Sequence, residues 1–250
     1  MSTKTFPARF LAAGDTALVV EFGDVVDRQL SDRVLALAVA IEARAIAGVV
    51  ELVPTFRSLM IHYDPMRLDE AALKALIEPM LAQHTALRHR PRLWTLPVCY
   101  GGEHGPDLDE VAERTGHTPA EVVALHSGVT WHVYTLGFLP GYPYMGDGPE
   151  ALSLPRRESP RVRVPMGSVC IAFRLAGIYS LESPGGWHLL GRTPVRLFDT
   201  RRTDAVLLAP GDKVRFEAVE RDRFEALDAD AAAGRLVLTP SALQDAGVAA

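Results

Sequence analysis

Asparagine is absent from all 250 residues, so no N-glycosylation acceptor can be written. Lysine is nearly absent as well. Only Lys4, Lys74 and Lys213 occur, and the remaining basic charge is arginine. The net charge of −5 is the wrong sign for a nucleic-acid footprint over the whole molecule. The two cysteines, Cys99 and Cys170, lie far apart and fit no metal or redox spacing. They read as small buried thiols of a reducing compartment. No apolar run reaches membrane-spanning length, and the N-terminus has no charged-then-apolar leader pattern. The expectation is a cytoplasmic protein without a membrane partner. A phosphate-cradling G-x-x-x-x-G-K-[ST] loop is also missing. Gly146-Asp147-Gly148 echoes a dinucleotide fingerprint, but Pro149 follows it and the run reads as a turn. His62, His132 and His188 lie in strand-like or motif contexts without ligand spacing, so no metal site is expected.

What is present suits a globular chain, with 48% hydrophobic and 23% charged residues and no long charge block. The first ninety residues read as a small α/β unit in the order β-α-β-β-α. Residues 17 to 22 form a strand. Asp27 caps a helix whose apolar positions Leu30, Val34, Ala38 and Ile41 recur every three or four residues, and Gly48 ends it. Residues 49 to 53 and 56 to 63 are strand-like. Asp69 caps a second helix, with Leu73, Leu76, Ile77 and Met80 on one face. The basic stretch from 84 to 92 breaks this pattern, so a first domain is expected over 1 to 90 and a second over 91 to 240, with a tail from 241 to 250.

After a strand at 94 to 100 come two short helices. Asp107 is expected to cap the first, and Thr118-Pro119-Ala120-Glu121 is a capping box for the second. The second helix offers no Arg, Lys, Asn or Gln to read base edges, so a DNA-binding helix-turn-helix is set aside. Beyond it, Gly and Pro recur every few residues between short apolar runs, the pattern of short strands and tight turns. Residues 205 to 209 and 213 to 216 read as two strands about a Pro-Gly-Asp turn. Arg156, Arg157, Arg161 and Arg163 crowd into eight residues of this stretch. They suit either the turns of a β-barrel or the floor of a pocket for a small anion.

Several motifs here occur in one order: Gly137-Phe138-Leu139-Pro140-Gly141-Tyr142-Pro143-Tyr144, Pro155-Arg156-Arg157, Val164-Pro165-Met166-Gly167-Ser168-Val169, Glu182-Ser183-Pro184-Gly185-Gly186-Trp187, and Gly191-Arg192-Thr193-Pro194. Together they resemble the group of 5-oxoprolinase B subunits (PxpB), also called allophanate hydrolase subunit 1 and KipI-like. The resemblance covers nearly the whole chain. It implies an α+β protein, a small N-terminal α/β sandwich followed by a cyclophilin-like β-barrel carrying the helix pair. It also implies one part of a multi-protein enzyme that opens the lactam of 5-oxoproline to glutamate with ATP and Mg²⁺. The implied partners are the A and C subunits of 5-oxoprolinase, the latter carboxyltransferase or allophanate hydrolase subunit 2-like. The segment from Leu236 to Asp245 resembles the opening of the C subunit, although an ordinary terminal strand fits it equally.

Such chemistry needs cations for carboxylate and phosphate, which arginine supplies in bidentate form. Arg161, Arg163 and Arg192 are the anion-binding candidates, and Glu182 is a metal ligand or base, or a structural partner for Arg192. Glu182 and Arg192 form the expected catalytic pair. Phe138, Pro140, Gly141, Tyr142, Tyr144, Ser168, Ser183, Gly185, Gly186 and Trp187 complete the expected binding surface. Two other readings of the same motifs stay open: a KipI-like inhibitor of a sensor histidine kinase, and a subunit of a urea or allophanate amidohydrolase. The chain is expected to be inactive alone and to form a homodimer when isolated.

Overall fold

The computed structural model describes residues 7–81 and 91–242. The chain divides into two compact units, Met1–Arg90 and Pro91–Ala250. The expected boundary near residue 90 falls mostly on residues outside this description.

In the first unit, β1 (Arg9–Ala12) and β2 (Ala17–Glu21) precede α1 (Arg28–Arg44), then β3 (Val49–Pro54), β4 (Ser58–Tyr63) and α2 (Glu70–Leu81). The four strands form one antiparallel sheet in the order β1-β2-β4-β3. Period two and period 3.6 meet in a single core. Leu59, Ile61 and Tyr63 of β4 pack with Leu30, Val34 and Ile41 of α1 and Leu73 and Ile77 of α2. Asp27 caps α1 by accepting from the backbone N–H of Gln29 and Leu30, and Asp69 accepts from Ala72 at the start of α2. The helix stop differs from expectation. Ala45, at φ 45°, takes the left-handed cap position, and Gly48 lies beyond it in the turn to β3.

The second unit opens with β5 (Arg92–Tyr100), α3 (Leu108–Thr115) and α4 (Pro119–Ser127). There follow β6 (Trp131–Leu136), β7 (Pro143–Gly146), β8 (Arg161–Val164), β9 (Ser168–Ala172), β10 (Leu175–Ile178), β11 (Ser183–Gly185) and β12 (His188–Arg192). The remaining elements are β13 (Lys213–Ala218), α5 (Arg221–Ala232) and β14 (Ser241–Ala242). Seven strands run β12-β9-β10-β7-β6-β13-β5, and β5 pairs back onto β12. The sheet is therefore a closed barrel, with β14 added beside Leu93 and Arg92 at the other end of β5. Among the described strands only β13 and β5 run parallel. Closure brings two backbones very close. A Cβ on Gly191 would stand 2.6 Å from the carbonyl oxygen of Cys99, so this register requires glycine there. Leu96, Val98, Val133, Val169, Ile171 and Ala176 fill the interior. Closing the sheet also removes the unpaired edges that these short strands would otherwise expose.

Two readings of this half are corrected. Residues 205 to 209 form no strand. They carry a single bridge, Phe198 to Val206, because Asp212 accepts from the Ala209 N–H and folds the segment into its turn. Asp107 precedes α3 but does not cap it; its side chain turns inward to arginines. Thr118 and Glu121 do form the reciprocal capping box of α4. No helix among the described residues is long and apolar enough to cross a membrane.

Candidate functional site

The aromatic residues of the motifs cluster together against the barrel, sharing a small core with Cys170 and Leu189. The β6–β7 connection carries Phe138, whose backbone sits at φ 69° and whose side chain is 62% exposed. A bulky residue in that conformation costs energy, and here it presents an aromatic ring to solvent. From Phe138 the aromatic contacts continue inward. Its ring meets Tyr142 edge-on at 5.6 Å, Tyr142 meets Tyr144 at 5.0 Å and Tyr179 at 5.3 Å, and Tyr144 meets Trp187 at 5.8 Å. Burial raises the phenol pKa of Tyr142, Tyr144 and Tyr179. These tyrosines are therefore neutral phenols at neutral pH, Tyr142 and Tyr179 buried in the core and Tyr144 half-buried beside them. Room for the Tyr179 hydroxyl depends on Gly185, where a Cβ would stand 1.9 Å from that oxygen. Cys170 lies beneath the cluster, fully buried, with its thiol pushed up to about 12 by burial and its Sγ donating to the Gly177 carbonyl. It is inert as a nucleophile.

The arginines divide by partner. Arg156 lies over the Trp187 ring at 5.8 Å and makes no ion pair among the described residues. Arg157 donates to Asp107 at 3.0 Å and to Glu110 at 2.8 Å, while its backbone N–H donates to Gly186. The Glu110 carboxyl is held below the usual range, first by this bond. Arg161 donates to the same Asp107 oxygen as Arg157. The other Asp107 oxygen accepts from the Leu189 N–H at 2.7 Å. Asp107 is 2% exposed, so one buried carboxylate ties α3, β8 and β12 together. His188 is also buried and donates through Nε2 to the Pro155 carbonyl at 3.0 Å.

The expected anion-binding arginines do not share one partner. Arg161 is held by Asp107, Arg163 pairs with Glu182 at 2.7 Å on the surface, and Arg192 donates from Nε to the Met166 carbonyl at 2.9 Å. Ser168 is buried in β9 across from Arg192, and the Ser183 hydroxyl donates to the Pro184 carbonyl. Pro140 is exposed and Gly141, at φ 72°, makes the turn before Tyr142. The structure thus brings Phe138, Tyr142, Tyr144 and Trp187 into one aromatic cluster, with Tyr142 and Trp187 buried in it and Phe138 exposed at its rim. It adds Arg156 and the Asp107 hub, neither of them among the expected site residues. Arg156 is visible in the sequence only as a member of the arginine cluster and of the Pro155-Arg156-Arg157 motif; its pairing with Trp187, 31 positions away, and that of Asp107 with Arg161, 54 away, are not. Among the described residues no group of three or more His, Cys, Asp or Glu side chains could hold a metal ion.

A family profile described as carboxyltransferase domain, subdomain C and D, matches residues 8–208. The B subunit of 5-oxoprolinase from Bacillus subtilis is 35% identical over 224 residues, 85% of this chain and 93% of that protein. The protein of the same name from Escherichia coli O157:H7 is 41% identical over 210 residues, 84% of this chain and 95% of that one. This chain belongs to the family of 5-oxoprolinase B subunits. Among solved structures, the Kluyveromyces lactis urea amidolyase superposes with a TM-score of 0.78 at 21% identity, over 96% of this chain and 16% of the amidolyase. That likeness is one of fold. The protein TTHA0988 superposes at 0.74 with 40% identity, over 82% of this chain and 40% of its own. This chain therefore spans less than half of either solved relative.

Proposed function

We propose that this protein is the B subunit of an ATP-dependent 5-oxoprolinase, opening 5-oxoproline to L-glutamate together with the A and C subunits. The observation that carries the reading is Arg156 over Trp187, a cation without a carboxylate partner among the described residues, lying on a flat aromatic ring beside Tyr144. 5-Oxoproline is a small flat lactam bearing one carboxylate. The guanidinium suits that carboxylate, and the buried indole beneath it holds the guanidinium in place. Near-full-length relatives named as B subunits of 5-oxoprolinase support the same substrate.

A resonance-stabilised amide must be activated before water opens it. Phosphorylation of the carbonyl oxygen, with ATP and Mg²⁺, is the chemistry the partners are proposed to share. The described residues of this chain do not fit either group by themselves: no carboxylate cluster suits the metal, and the sequence holds no phosphate-cradling loop. The role assigned to this protein is to bind and orient the substrate. Asp107 keeps Arg157 and Arg161 in place, Trp187 backs Arg156 beside Tyr144, and Glu182 and Arg192 are the residues proposed to meet the activated carbonyl.

The test is to purify this chain alone, with the C subunit, and with the A and C subunits together, and to measure 5-oxoproline-dependent ADP release and glutamate formation. Turnover is expected only from the complete set. Full activity from the chain alone overturns the half-site reading. Urea as substrate in the same assay tests the relationship to the putative urea carboxylase of Emericella nidulans, 25% identical over 253 residues. Silence with both partners and both substrates would favour inhibition of a sensor histidine kinase instead.

A further inference from the structure

The loop between β6 and β7 combines a strained backbone with an exposed aromatic ring. Phe138 stands at φ 69° and is 62% exposed. Its neighbours close a three-residue turn around it, the Leu139 N–H donating to the Gly137 carbonyl at 2.8 Å. A turn of this kind with a positive φ at its centre is the rare and strained form. Glycine would take the central position at little cost, and Gly137 lies one residue away, yet the chain places phenylalanine there.

The loop is fixed as well as strained. The Gly137 N–H donates to the Tyr142 carbonyl at 3.1 Å, and the Tyr142 N–H to the Leu139 carbonyl at 3.0 Å. The Phe138 ring stands edge-on to Tyr142 at 5.6 Å and to Tyr179 at 6.5 Å, and both tyrosines are buried. Pro140 is exposed beside it, and no residue from Gly137 to Tyr144 carries a charge. A rigid, uncharged tip led by an aromatic ring has the composition of an interface centre. Phe173 provides a comparison within the same unit. It lies in the turn between β9 and β10, at φ 52° and 54% exposed, but its ring is backed by no other ring among the described residues.

We infer that Phe138 is the anchor through which this protein docks the C subunit, its ring entering an apolar pocket on that subunit. This rests on the 5-oxoprolinase reading and adds the contact surface to it. Two facts point to a separate folded protein as the occupant. This chain covers only 40% of TTHA0988, so in that relative the same unit shares its chain with further protein. The relatives that this chain nearly spans are named as subunits. The segment from Leu236, which resembles the opening of the C subunit, selects that protein among the companions.

The experiment titrates the whole chain with purified C subunit by calorimetry, without ATP or 5-oxoproline. Phe138→Ala and Phe138→Gly should each weaken binding by at least about thirtyfold, the loss expected of a central aromatic anchor. Phe138→Tyr keeps the ring and should bind like wild type, as should Phe173→Ala. The urea midpoint of Phe138→Gly should be no lower than that of Phe138→Ala, because glycine relieves the turn. That result separates a lost anchor from a damaged fold. No association of the wild-type chain at about 50 µM would overturn the inference, as would unaltered binding in Phe138→Gly or an equal loss in Phe173→Ala. Sedimentation of the chain alone tests a second copy as the occupant. Self-association that disappears in Phe138→Gly while C-subunit binding persists would overturn the inference in favour of that copy. A complex that forms through Phe138 but turns over no 5-oxoproline when the A subunit is added would sink the enzymatic reading and leave the docking surface standing.

Discussion

The two units differ in what holds them together, and the difference shows where chemistry is kept. The first is built from periodic apolar faces: two capped helices over an antiparallel sheet, with polar side chains left at the surface and the helix starts. The second has a larger apolar core, yet it also buries Asp107, His126, His188 and Asp212. A folded domain accepts buried polar groups only when they are paired, and pairing them fixes neighbouring loops in one arrangement. All three tryptophans lie in the second unit, so their fluorescence reports on it alone, while amide exchange in α1 and β4 reports on the first.

The largest expected effect breaks the barrel's buried network. Asp107→Ala leaves Arg157 and Arg161 without their shared carboxylate and Leu189 without its acceptor. Removing one member of a buried ion group costs roughly 3–5 kcal/mol. The tryptophan-detected urea midpoint should fall accordingly while exchange in α1 is unchanged, and a loss below about 1 kcal/mol would place Asp107 with ordinary surface pairs. Asp107→Asn should fall between wild type and the alanine variant, because it keeps an acceptor for Leu189.

Next comes a pH dependence confined to the barrel. His126 is completely buried against Trp131 and Phe216, its Nδ1 bonded to the Tyr100 hydroxyl at 2.8 Å, and burial lowers its pKa to about 3. The unfolded chain binds a proton near pH 6.5, while the folded chain resists it until about pH 3. The stability contributed by neutral His126 is therefore complete above pH 6.5 and is lost as the pH falls between these values. One such proton gives a slope of about 1.4 kcal/mol per pH unit. His126→Gln should flatten the tryptophan-detected stability curve between pH 6 and 4 by about that amount. An identical slope in the variant would mean that other groups carry the acid sensitivity.

A smaller effect belongs to the first unit. Asp27→Ala removes the acceptor for the Gln29 and Leu30 N–H groups and should cost about 1 kcal/mol, seen as faster exchange in α1 with the tryptophan signal unmoved.

The same contrast explains what is legible in the sequence. Helices α1 and α2, their aspartate caps and the capping box of α4 follow from spacings of three or four residues, which a linear reading captures. The Gly- and Pro-rich motifs announce short strands and turns, and the family resemblance supplies the barrel. Closure itself cannot be read, since the β5–β12 pairing joins residues more than ninety positions apart. Asp107 departs from its expected role for a related reason. Aspartate before a helix usually caps it, but two arginines some fifty residues downstream compete for the same oxygens and win, because a carboxylate buried this deeply is costly without cationic partners. For the candidate site residues, the sequence does not say which of them lie together. The aromatic members converge, whereas Arg161, Arg163 and Arg192 each answer to a different partner.

The smallest expected effect on stability is the most informative about mechanism. Glu182 pairs with Arg163 where both side chains are largely in water, 48% and 76% exposed. Exposed pairs of this kind are worth about 0–1 kcal/mol, so Glu182→Gln should leave the urea midpoint nearly unchanged. Its place in the motif next to Ser183 and Trp187 gives it a second proposed duty, that of base or metal ligand once the partner proteins complete the site. Glutamine keeps the shape and removes the charge, so the two duties separate cleanly. In the proposed complex with the A and C subunits, Glu182→Gln should lower turnover by about 10² or more with little change in the KM for 5-oxoproline, the pattern for a group acting mainly in the transition state. Arg163→Gln serves as the control, since it breaks the same surface pair without touching the carboxylate. Equal losses in both variants would mean that the ion pair matters only as a prop for the β8–β11 ribbon, and less than a twofold loss in Glu182→Gln would remove Glu182 from the catalytic set.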